Sequence, residues 1–260
     1  MRASEGGIPP QVTVAIPNLN QGNFLRECIE SVLAQGPRVE VFVADGGSVD
    51  ASLEVLGGFA DRLAGWTSGP DGGQAMAINE AISRGNAPLV CWLNADDMMV
   101  PGALAILSEA LDRNPHAPFV FGRVMNESSS GMCSKELPTG QFDFKRFARK
   151  CMISQPGTLI RRDAWNRVGG LNEDYAMALD YDLWWRLSAL GKPVFVDAVV
   201  AKNRDHPATK TRRHPVRHSL ESMQIVHRET GSIPSRWWLG LGYAGLRQIQ
   251  AWLHAPTRLM

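Results

Sequence analysis

The feature that most restricts the fold is an alternation of short apolar runs with helical patterns in the first hundred residues. The apolar runs predict four strands, at 12–16, 39–44, 66–67 and 89–93. Between the first two runs, Leu25, Ile29 and Val32 recur at helical spacing. Repeated strand–helix units with nearly continuous apolar strands are typical of a sheet buried on both faces. We therefore predict an α/β fold with a Rossmann-like, mostly parallel central sheet and helices on both faces.

Composition narrows the classes of protein further. The 260 residues fit one large α/β domain or two small ones, and 44% hydrophobic with 20% charged residues argue against a disordered chain. Lys+Arg 27 against Asp+Glu 26 leave a net charge of +1, which argues against generic nucleic-acid binding. The cysteines are too widely spaced for a zinc site or a disulfide framework, and we predict reduced thiols at Cys28, Cys91, Cys133 and Cys151. Because neither a secretory signal nor a long apolar run is visible, we expect a cytoplasmic protein without a membrane-spanning helix.

The pattern changes after residue 121. Residues 126–150 are polar, and we predict a loop or excursion that covers a site. Further strands are predicted at 158–160 and 193–200, and helices at 163–168 and 180–190. Residues 202–228 form the most basic stretch, with seven Lys/Arg and four His against two acids.

Polar residues follow several of the predicted strands. They occupy 17–20, 45–48 and 94–97, and a similar run at 68–74 precedes the third helix. In an open parallel sheet, ligands bind outside the carboxyl ends of the strands. These loops should therefore place four acids around one pocket: Asp45, Asp71, Asp96 and Asp97.

The adjacent pair Asp96–Asp97 suits a hard divalent cation that also binds a phosphorylated ligand. The competing explanation is a solvated turn that caps the helix near Pro101. Neither 45–48 nor 72–73 matches Gly-x-Gly-x-x-Gly or a P-loop, which argues against a dinucleotide oxidoreductase or an NTPase.

Taken together, these stretches resemble the family 2 glycosyltransferases, which have the GT-A fold. The matching stretches, in family order, are IPNLN (16–20), VADGGSVD (43–50), SGPDGGQ (68–74), WLNADD (92–97), QPGT (155–158), VGGL (168–171), LDYDLWWR (179–186) and RDHPATKT (204–211). The resemblance extends over residues 11–211. It implies an inverting, nucleotide-sugar-dependent glycosyltransferase with a C-terminal helical extension.

The resemblance implies a role for each matching acid. Asp45 corresponds to the carboxylate that contacts the base of the donor, and Asp71 to a second acid of the nucleotide pocket. Asp96 is expected near the ribose, and Asp97 is expected to bind Mn²⁺ or Mg²⁺.

Other donor contacts are expected from the first and last matching stretches. Pro17 and Asn20 are placed at the donor. Arg204 and Lys210 are expected in a lid that closes over the diphosphate, with His206 completing the metal shell. The competing explanation is a solvated cationic surface, which we expect for Arg212, Arg213, Arg217 and His218.

The catalytic base is expected at Asp180. This residue occupies the second position of the family's Glu-Asp motif, whose first position is Leu179 here. If the register is shifted, Asp182 would take the role. An inverting transfer needs one carboxylate to accept the proton of the attacking hydroxyl. The competing explanation is that Asp180 only caps its helix.

The tail from residue 236 predicts a helix with Trp238, Leu241 and Tyr243 toward one side. One interpretation is an interfacial membrane anchor, because Trp and Arg favour that zone. The other is a helix that packs on the catalytic domain or on a second subunit through residues 236–254.

The leading hypothesis is a metal-assisted glycosyltransferase of polysaccharide or cell-envelope glycan synthesis. It would use a UDP-, GDP- or dTDP-sugar and a glycan or lipid-linked acceptor, in the cytoplasm or peripherally at the inner face of the membrane, without nucleic acid. We divide the chain into an N-terminal arm (1–10), a nucleotide-sugar-binding half (11–125), an acceptor and catalytic half of the same domain (126–211) and the helical extension (212–260).

Two alternatives remain. A non-catalytic nucleotide-sugar-binding or assembly protein would keep the fold without turnover. A sugar-phosphate nucleotidyltransferase usually carries a cation in the loop after the first strand, and residues 17–21 contain none.

Overall fold

The computed structural model describes residues 9–128, 133–136, 140–206 and 209–253. Strands and helices alternate in its first half: β1 (Val12–Asn18), α1 (Gly22–Leu33), β2 (Val39–Asp45), α2 (Ser52–Phe59), β3 (Gly65–Ser68), α3 (Gln74–Arg84), β4 (Leu89–Trp92), β5 (Met98–Met99) and α4 (Ala103–Asp112). The second half contains β6 (Phe119–Ser128), β7 (Cys133–Glu136), α5 (Phe144–Arg149), a 3₁₀ turn (Gln155–Gly157), β8 (Thr158–Arg161), α6 (Arg162–Val168), α7 (Leu179–Ser188), β9 (Val194–Asp205), α8 (Lys210–Arg213), α9 (Pro215–Thr230) and α10 (Ser235–Leu253).

The strands form one mixed sheet in the order β3-β2-β1-β4-β8-β6-β9-β5, with β7 added to β6. The pairs among β1 to β4 are parallel, as the strand–helix alternation predicts. Beyond β4 the sheet is mixed: β8 runs antiparallel to both β4 and β6, whereas β6 and β9 are parallel. Strands from both predicted halves therefore share one sheet.

Each face of the sheet has its own apolar core. Val12, Val14 and Ile16 of β1 are buried with residues of α1, α2 and α4 on one face. Ala15 faces the other side, where α3, α6, α7 and α9 pack. That second core is rich in aromatic rings, with Trp184 stacked on Trp92 at 5.7 Å between ring centroids. Burial on both faces is the reason why the strands read as continuous apolar runs.

The prediction of a loop at 126–150 is wrong where the structure has the end of β6, β7 and α5. The strand that starts at Phe119 continues to Ser128 because its backbone pairs with β9 as far as Asp205. Residues 133–136 return as β7, and α5 follows. Polar side chains are tolerated there because the main-chain ladder, and not apolar burial, holds this part of the strand. Residues 1–8 of the predicted N-terminal arm lie outside the described residues.

The C-terminal helix α10 packs on the rest of the fold through Trp237. The indole Nε1 of Trp237 donates a hydrogen bond to the carbonyl of Ala148 (2.7 Å), and its ring lies 5.9 Å from that of Tyr181. The outer side of α10 is solvent-exposed at Trp238, Leu239, Tyr243 and Leu246. Within the described residues, no helix combines the length and the apolar character needed to cross a bilayer.

Candidate active site

Loops from both parts of the chain converge on one cleft of about 1250 Å³. One side is formed by the end of β1, which contributes Pro17, and by the segments after β3 and β4, which contribute Asp71, Asp96 and Asp97. The other side is formed by α5 and the residues after it, the start of α7, α8 and the start of α10, with Asp180 among the lining residues. The carboxyl ends of parallel strands meet at one sheet edge, which explains why the strand-end motifs are adjacent in space.

Asp45 is buried beneath the loops and is 2% exposed. Its carboxylate accepts hydrogen bonds from Asn18 Nδ2 (2.6 Å), Ser68 Oγ (2.6 Å) and the hydroxyl and N–H of Ser48. Burial by itself would raise the pKa of Asp45, but these hydrogen bonds outweigh it and lower the pKa. Asp45 thus ties three strand-end loops together and does not line the cleft. Its contact with the base of the donor stays a prediction.

Asn20 also connects loops and does not line the cleft. Its Oδ1 accepts the N–H of Val49 (2.9 Å), and its own N–H donates to Ser48 Oγ (2.7 Å). Asn20 has a left-handed backbone, with φ 53°, which Asn tolerates better than most residues. The donor contact expected for Asn20 therefore stays a prediction, whereas Pro17 does line the cleft.

Asp71 lines the cleft and approaches the loop after β2 closely at Gly46. A Cβ at Gly46 would lie 3.0 Å from Asp71 Oδ2. The other oxygen of Asp71 accepts the N–H of Gly73 (2.9 Å) at the start of α3. A side chain at Gly46 would therefore crowd the Asp71 carboxylate and require it to shift.

Asp96 and Asp97 are adjacent in sequence but differ in environment. Asp97 is 1% exposed, and burial together with the neighbouring Asp96 carboxylate raises its pKa well above the usual range. Asn94 Nδ2 and the N–H of Arg204 lie 3.3 Å from the two Asp97 oxygens. Asp96 is partly exposed, and its Oδ2 lies 3.0 Å from Nε2 of His206. The expected metal residues therefore come together around Asp96.

The donor atoms present fit a hard divalent cation. Among the described residues, no three His, Cys, Asp or Glu side chains form a ready cluster of metal ligands. Mg²⁺ and similar ions, however, need only one or two protein carboxylates when phosphate oxygens and water complete the shell. A buried carboxylate with a raised pKa next to a second carboxylate would be stabilised by such a cation. Asp97 and Asp96 thus fit the ion, with His206 beside them.

The two cations expected in the lid have different positions. Arg204 points away from the cleft: its guanidinium pairs with Glu27 and lies 5.2 Å from the ring centroid of Phe24. A donor contact by Arg204 would require that pair to open, and the assignment stays a prediction. Lys210 does line the cleft, and its Nζ donates to Oε1 of Gln74 (3.0 Å).

A chain of amides crosses the floor of the cleft. Gln74 Nε2 donates to Oδ1 of Asn94 (2.9 Å), and Asn94 Nδ2 lies 3.3 Å from both Asp97 Oδ2 and Gln155 Oε1. Gln155 in turn donates to the carbonyl of Trp92 (2.7 Å). Gln74, Asn94 and Gln155 lie in stretches that match the family motifs, but the resemblance implied no role for them. The chain connects Lys210 with Asp97 and holds the floor between them.

Asp180 is the second residue of α7 and lines the cleft. Burial raises the pKa of its carboxyl, while the nearby His218 and the N–H of Tyr181, which donates to Oδ1 (2.8 Å), lower it; the net shift is upward. A raised pKa is what a general base near neutral pH requires. The N-cap of α7 is Ala178, and no side chain caps the helix, so the competing explanation that Asp180 caps its helix does not apply.

Asp182 faces the protein interior and is 0% exposed. Its carboxylate pairs with Arg186 (2.7 Å) and with Arg228 (2.7 Å). Arg186 also donates to the carbonyls of Val168 and Gly170, which connects α7 to the end of α6. Asp182 therefore holds helices together and does not reach the cleft.

Glu221 is a residue that sequence analysis did not single out. It lies buried on α9, and its carboxylate accepts the N–H groups of Met177 (2.7 Å) and Ala178 (3.0 Å), with Ala176 at 3.4 Å. Burial by itself would raise the pKa of Glu221, but these N–H groups and Arg217 lower it. Glu221 thus fixes the segment that leads into Asp180. A contact between distant helices leaves no local pattern in the sequence.

We expect Glu221→Ala to lower the free energy of unfolding by about 1–3 kcal/mol, because buried N–H groups lose their acceptor. Since the pKa of Glu221 is lowered in the folded protein, its contribution is present above the ordinary Glu pKa and is lost as pH falls toward the lowered value. Denaturant unfolding at pH 7 and at about pH 4 tests both statements. A wild-type advantage that is as large in acid as at pH 7 would contradict the pH dependence.

Comparison with known proteins identifies the family. The model of glycosyl transferase family 2 matches residues 13–169, which is more than half of the chain. The chain belongs to glycosyl transferase family 2. It is 30% identical over 196 residues to the chondroitin synthase of Pasteurella multocida. That alignment covers 70% of this chain but only 19% of the synthase. It is 28% identical over 225 residues to an uncharacterised glycosyltransferase of Mycobacterium tuberculosis. That alignment covers 84% of this chain and 85% of the other protein.

Solved structures agree with the fold of this family 2 glycosyltransferase. TarS of S. aureus aligns with a TM-score of 0.64 at 15% identity, covering 95% of this chain and 73% of TarS. The mannosyltransferase PcManGT of Pyrobaculum calidifontis aligns at 0.63 and 17% identity, covering 95% of this chain and 76% of that one. The GT-A fold predicted from the motifs is confirmed. The chain spans only 19% of the first synthase it matches, so that protein contains much additional sequence.

Proposed function

We propose that this family 2 glycosyltransferase moves a sugar from a nucleotide diphosphate donor to an acceptor hydroxyl with inversion, assisted by Mn²⁺ or Mg²⁺. The observation that carries the proposal is the shared cleft, in which Asp96 and Asp97 lie on one side and Asp180 on the other. These three carboxylates come from the segment between β4 and β5 and from the start of α7, which are distant in sequence.

The donor side of the cleft suits a nucleotide diphosphate. Structures of the relatives with the same fold contain such ligands: TarS with UDP and UDP-GlcNAc, and PcManGT with GDP-Man and Mn²⁺. In this chain we assign the diphosphate to the neighbourhood of Lys210 and the Asp96–Asp97 pair. Asp97 would hold the metal together with the phosphate oxygens, and Asp96 would lie near the ribose. A bound Mn²⁺ or Mg²⁺ would neutralise charge that develops on the leaving diphosphate.

The acceptor side supplies the proton acceptor. Asp180 Oδ takes the proton of the acceptor hydroxyl while that oxygen forms the new bond to the anomeric carbon. The bond from the anomeric carbon to the diphosphate oxygen breaks on the opposite face, and the diphosphate leaves with the electron pair. Attack opposite to the leaving group inverts the anomeric centre. The raised pKa of Asp180 supports this role, because a stronger base accepts the proton more readily.

A thermal-shift screen with UDP-, GDP- and dTDP-sugars, each with and without Mn²⁺, tests the donor assignment. A ligand at 100 times its Kd stabilises the folded state by about 2.7 kcal/mol. For a protein of this size we expect one donor class to raise the Tm by roughly 5–10 °C with Mn²⁺ and much less with EDTA. The absence of a shift with every donor would contradict the proposal.

Product analysis separates the proposal from its two rivals. A transferase releases a nucleoside diphosphate slowly from the donor even without acceptor. A nucleotidyltransferase would consume or release pyrophosphate, and a non-catalytic binding protein would show a thermal shift but no product.

Polysaccharide or cell-envelope glycan synthesis stays a proposal about the acceptor. The chondroitin synthase match concerns one segment of that protein. Residence in the cytoplasm also stays a prediction, as do membrane contact and dimer contact through the exposed side of α10.

A further inference from the structure

The acceptor side of the cleft carries cations that the family motifs do not explain. They come from three elements: α5 with the residue after it, α8, and the start of α10. The five lining residues are Arg146, Arg149, Lys150, Arg213 and Arg236. From the sequence we expected Arg213 to lie on a solvated cationic surface. The structure instead directs charges from three separate helices into one space.

These five side chains have no ion-pair partner among the described residues, and all are solvent-exposed. Two arginines close to Arg213 in the sequence are paired instead. Arg212, next to Arg213, pairs with Asp205 (2.5 Å), and Arg217 pairs with Glu221 (2.8 Å). On α8, therefore, Arg213 lines the cleft without a counter-charge, whereas the adjacent Arg212 is already paired.

The excess of positive charge is confined to this side of the cleft, because Asp71, Asp96 and Asp97 line the opposite side. Among the described lining residues on this side, Asp180 is the one carboxylate. A concave surface lined by one sign of charge concentrates counter-ions. Arginine is also the side chain best suited to bind phosphate through paired N–H donors.

An apolar surface lies directly beside these charges. Leu239 lines the mouth of the same cleft and is 76% exposed, and its neighbour Trp238 is 57% exposed. Both follow Arg236 on the first turn of α10. The mouth therefore offers phosphate-binding cations and, one helical turn away, an uncovered apolar surface.

We propose that Arg146, Arg149, Lys150, Arg213 and Arg236 form a binding site for a phosphate group of the acceptor, with Leu239 and Trp238 available to an attached alkyl chain. The proposal rests on the proposed function, because Asp180 marks where the acceptor hydroxyl would lie. The diphosphate of the donor is assigned elsewhere, to Lys210 and the Asp96–Asp97 pair. A ligand with one carboxylate carries a single negative charge, whereas a phosphate or diphosphate carries more. Five unpaired cations therefore favour a phosphate or diphosphate as the ligand.

Calorimetric titration with decyl phosphate, below its micelle concentration, tests the site without requiring turnover. The variant Arg149→Gln/Arg213→Gln/Arg236→Gln removes one lining cation from each element. Its matched control, Lys145→Gln/Arg212→Gln/Arg247→Gln, removes the same charge from α5, α8 and α10 at positions that do not line the cleft. Octyl glucoside serves as the uncharged probe.

We expect the lining variant to bind decyl phosphate at least about tenfold more weakly than wild type, because charge-assisted hydrogen bonds are lost. The control should stay within about twofold, and added salt should weaken binding to the wild type. Equal losses in both variants, or no preference of the wild type for decyl phosphate over octyl glucoside, would overturn the proposal.

Two further titrations separate related outcomes. Propyl phosphate shows whether the phosphate belongs to a lipid or to a soluble molecule. Tighter binding of decyl than of propyl phosphate indicates a lipid phosphate, and equal binding indicates a soluble one. Both outcomes support the phosphate site. A nucleoside diphosphate with Mn²⁺ should bind the lining variant as it binds wild type, and a loss there would assign the cations to the donor and overturn the proposal. If no nucleotide binds but decyl phosphate binds as expected, the proposed function fails while the anion site stands.

Discussion

Asp180→Asn is expected to reduce turnover by about 10²–10⁴-fold while donor affinity stays nearly unchanged, since a positioned base contributes that much to rate. Asn keeps the size of the side chain and can still accept the N–H of Tyr181, but it cannot take up a proton at this position. Release of nucleoside diphosphate in the presence of a verified acceptor measures turnover, and calorimetry measures donor affinity.

The pH profile adds a second readout for Asp180. The base must be ionised to act, and burial raises its pKa in the folded protein. The acidic limb of kcat should therefore lie above the ordinary range for Asp, with activity lost as pH falls through the raised pKa. That limb should be absent from the residual activity of Asp180→Asn.

Asp182→Asn is the matched control two residues away. Because Asp182 is fully buried between Arg186 and Arg228, its loss should lower the free energy of unfolding by about 1–3 kcal/mol. Turnover of the folded fraction should change much less than in Asp180→Asn. If Asp182→Asn abolishes turnover and Asp180→Asn does not, the base is Asp182. If neither does, the inverting-base mechanism is wrong.

Asp97→Asn is expected to abolish metal-dependent donor binding without destabilising the metal-free protein. Burial and the neighbouring Asp96 raise the pKa of Asp97, so the ionised carboxylate opposes folding above the ordinary Asp pKa unless a cation is bound. Asn removes that charge, and the Tm of the metal-free variant at pH 7 should equal or exceed that of wild type. The increase in donor affinity on adding Mn²⁺ should disappear.

Calorimetry of donor binding with Mn²⁺ and with EDTA checks the metal prediction, and Asp163→Asn on the exposed surface of α6 controls for the lost charge. An unchanged Mn²⁺ effect in Asp97→Asn would refute the assignment. A lower Tm of the metal-free variant would show that the hydrogen bonds from Asn94 and Arg204 to Asp97 outweigh the repulsion from Asp96.

The side of the cleft that is built from strand ends was largely predictable. Asp71, Asp96 and Asp97 follow strands whose apolar runs are visible in the sequence, and parallel strands bring their carboxyl ends to one edge. Asp45 shows the limit of that reasoning. It occupies the expected strand end, but its carboxylate is occupied by Asn18, Ser48 and Ser68. Position along the chain indicated the edge of the sheet but not the direction of the side chain.

The second half was less predictable because long-range pairing decides it. β6 extends through a polar segment to Ser128 since β9 pairs alongside it, and the partner strand begins at Val194. Arg204 leaves the cleft because Glu27 of α1 lies next to it in the folded chain. Neither relationship produces a local periodicity or a motif.

By itself the sequence determined the α/β class, the family and the strand-end acids, because these depend on local apolar period and on short motifs that follow single strands. Only the tertiary structure decided which of those acids face the cleft, that Glu221 holds the segment before Asp180, and that unpaired cations from α5, α8 and α10 share one space. The physical reason is that burial, ion pairing and the resulting pKa shifts depend on neighbours brought together from distant parts of the chain, and a linear pattern does not encode the distances between them.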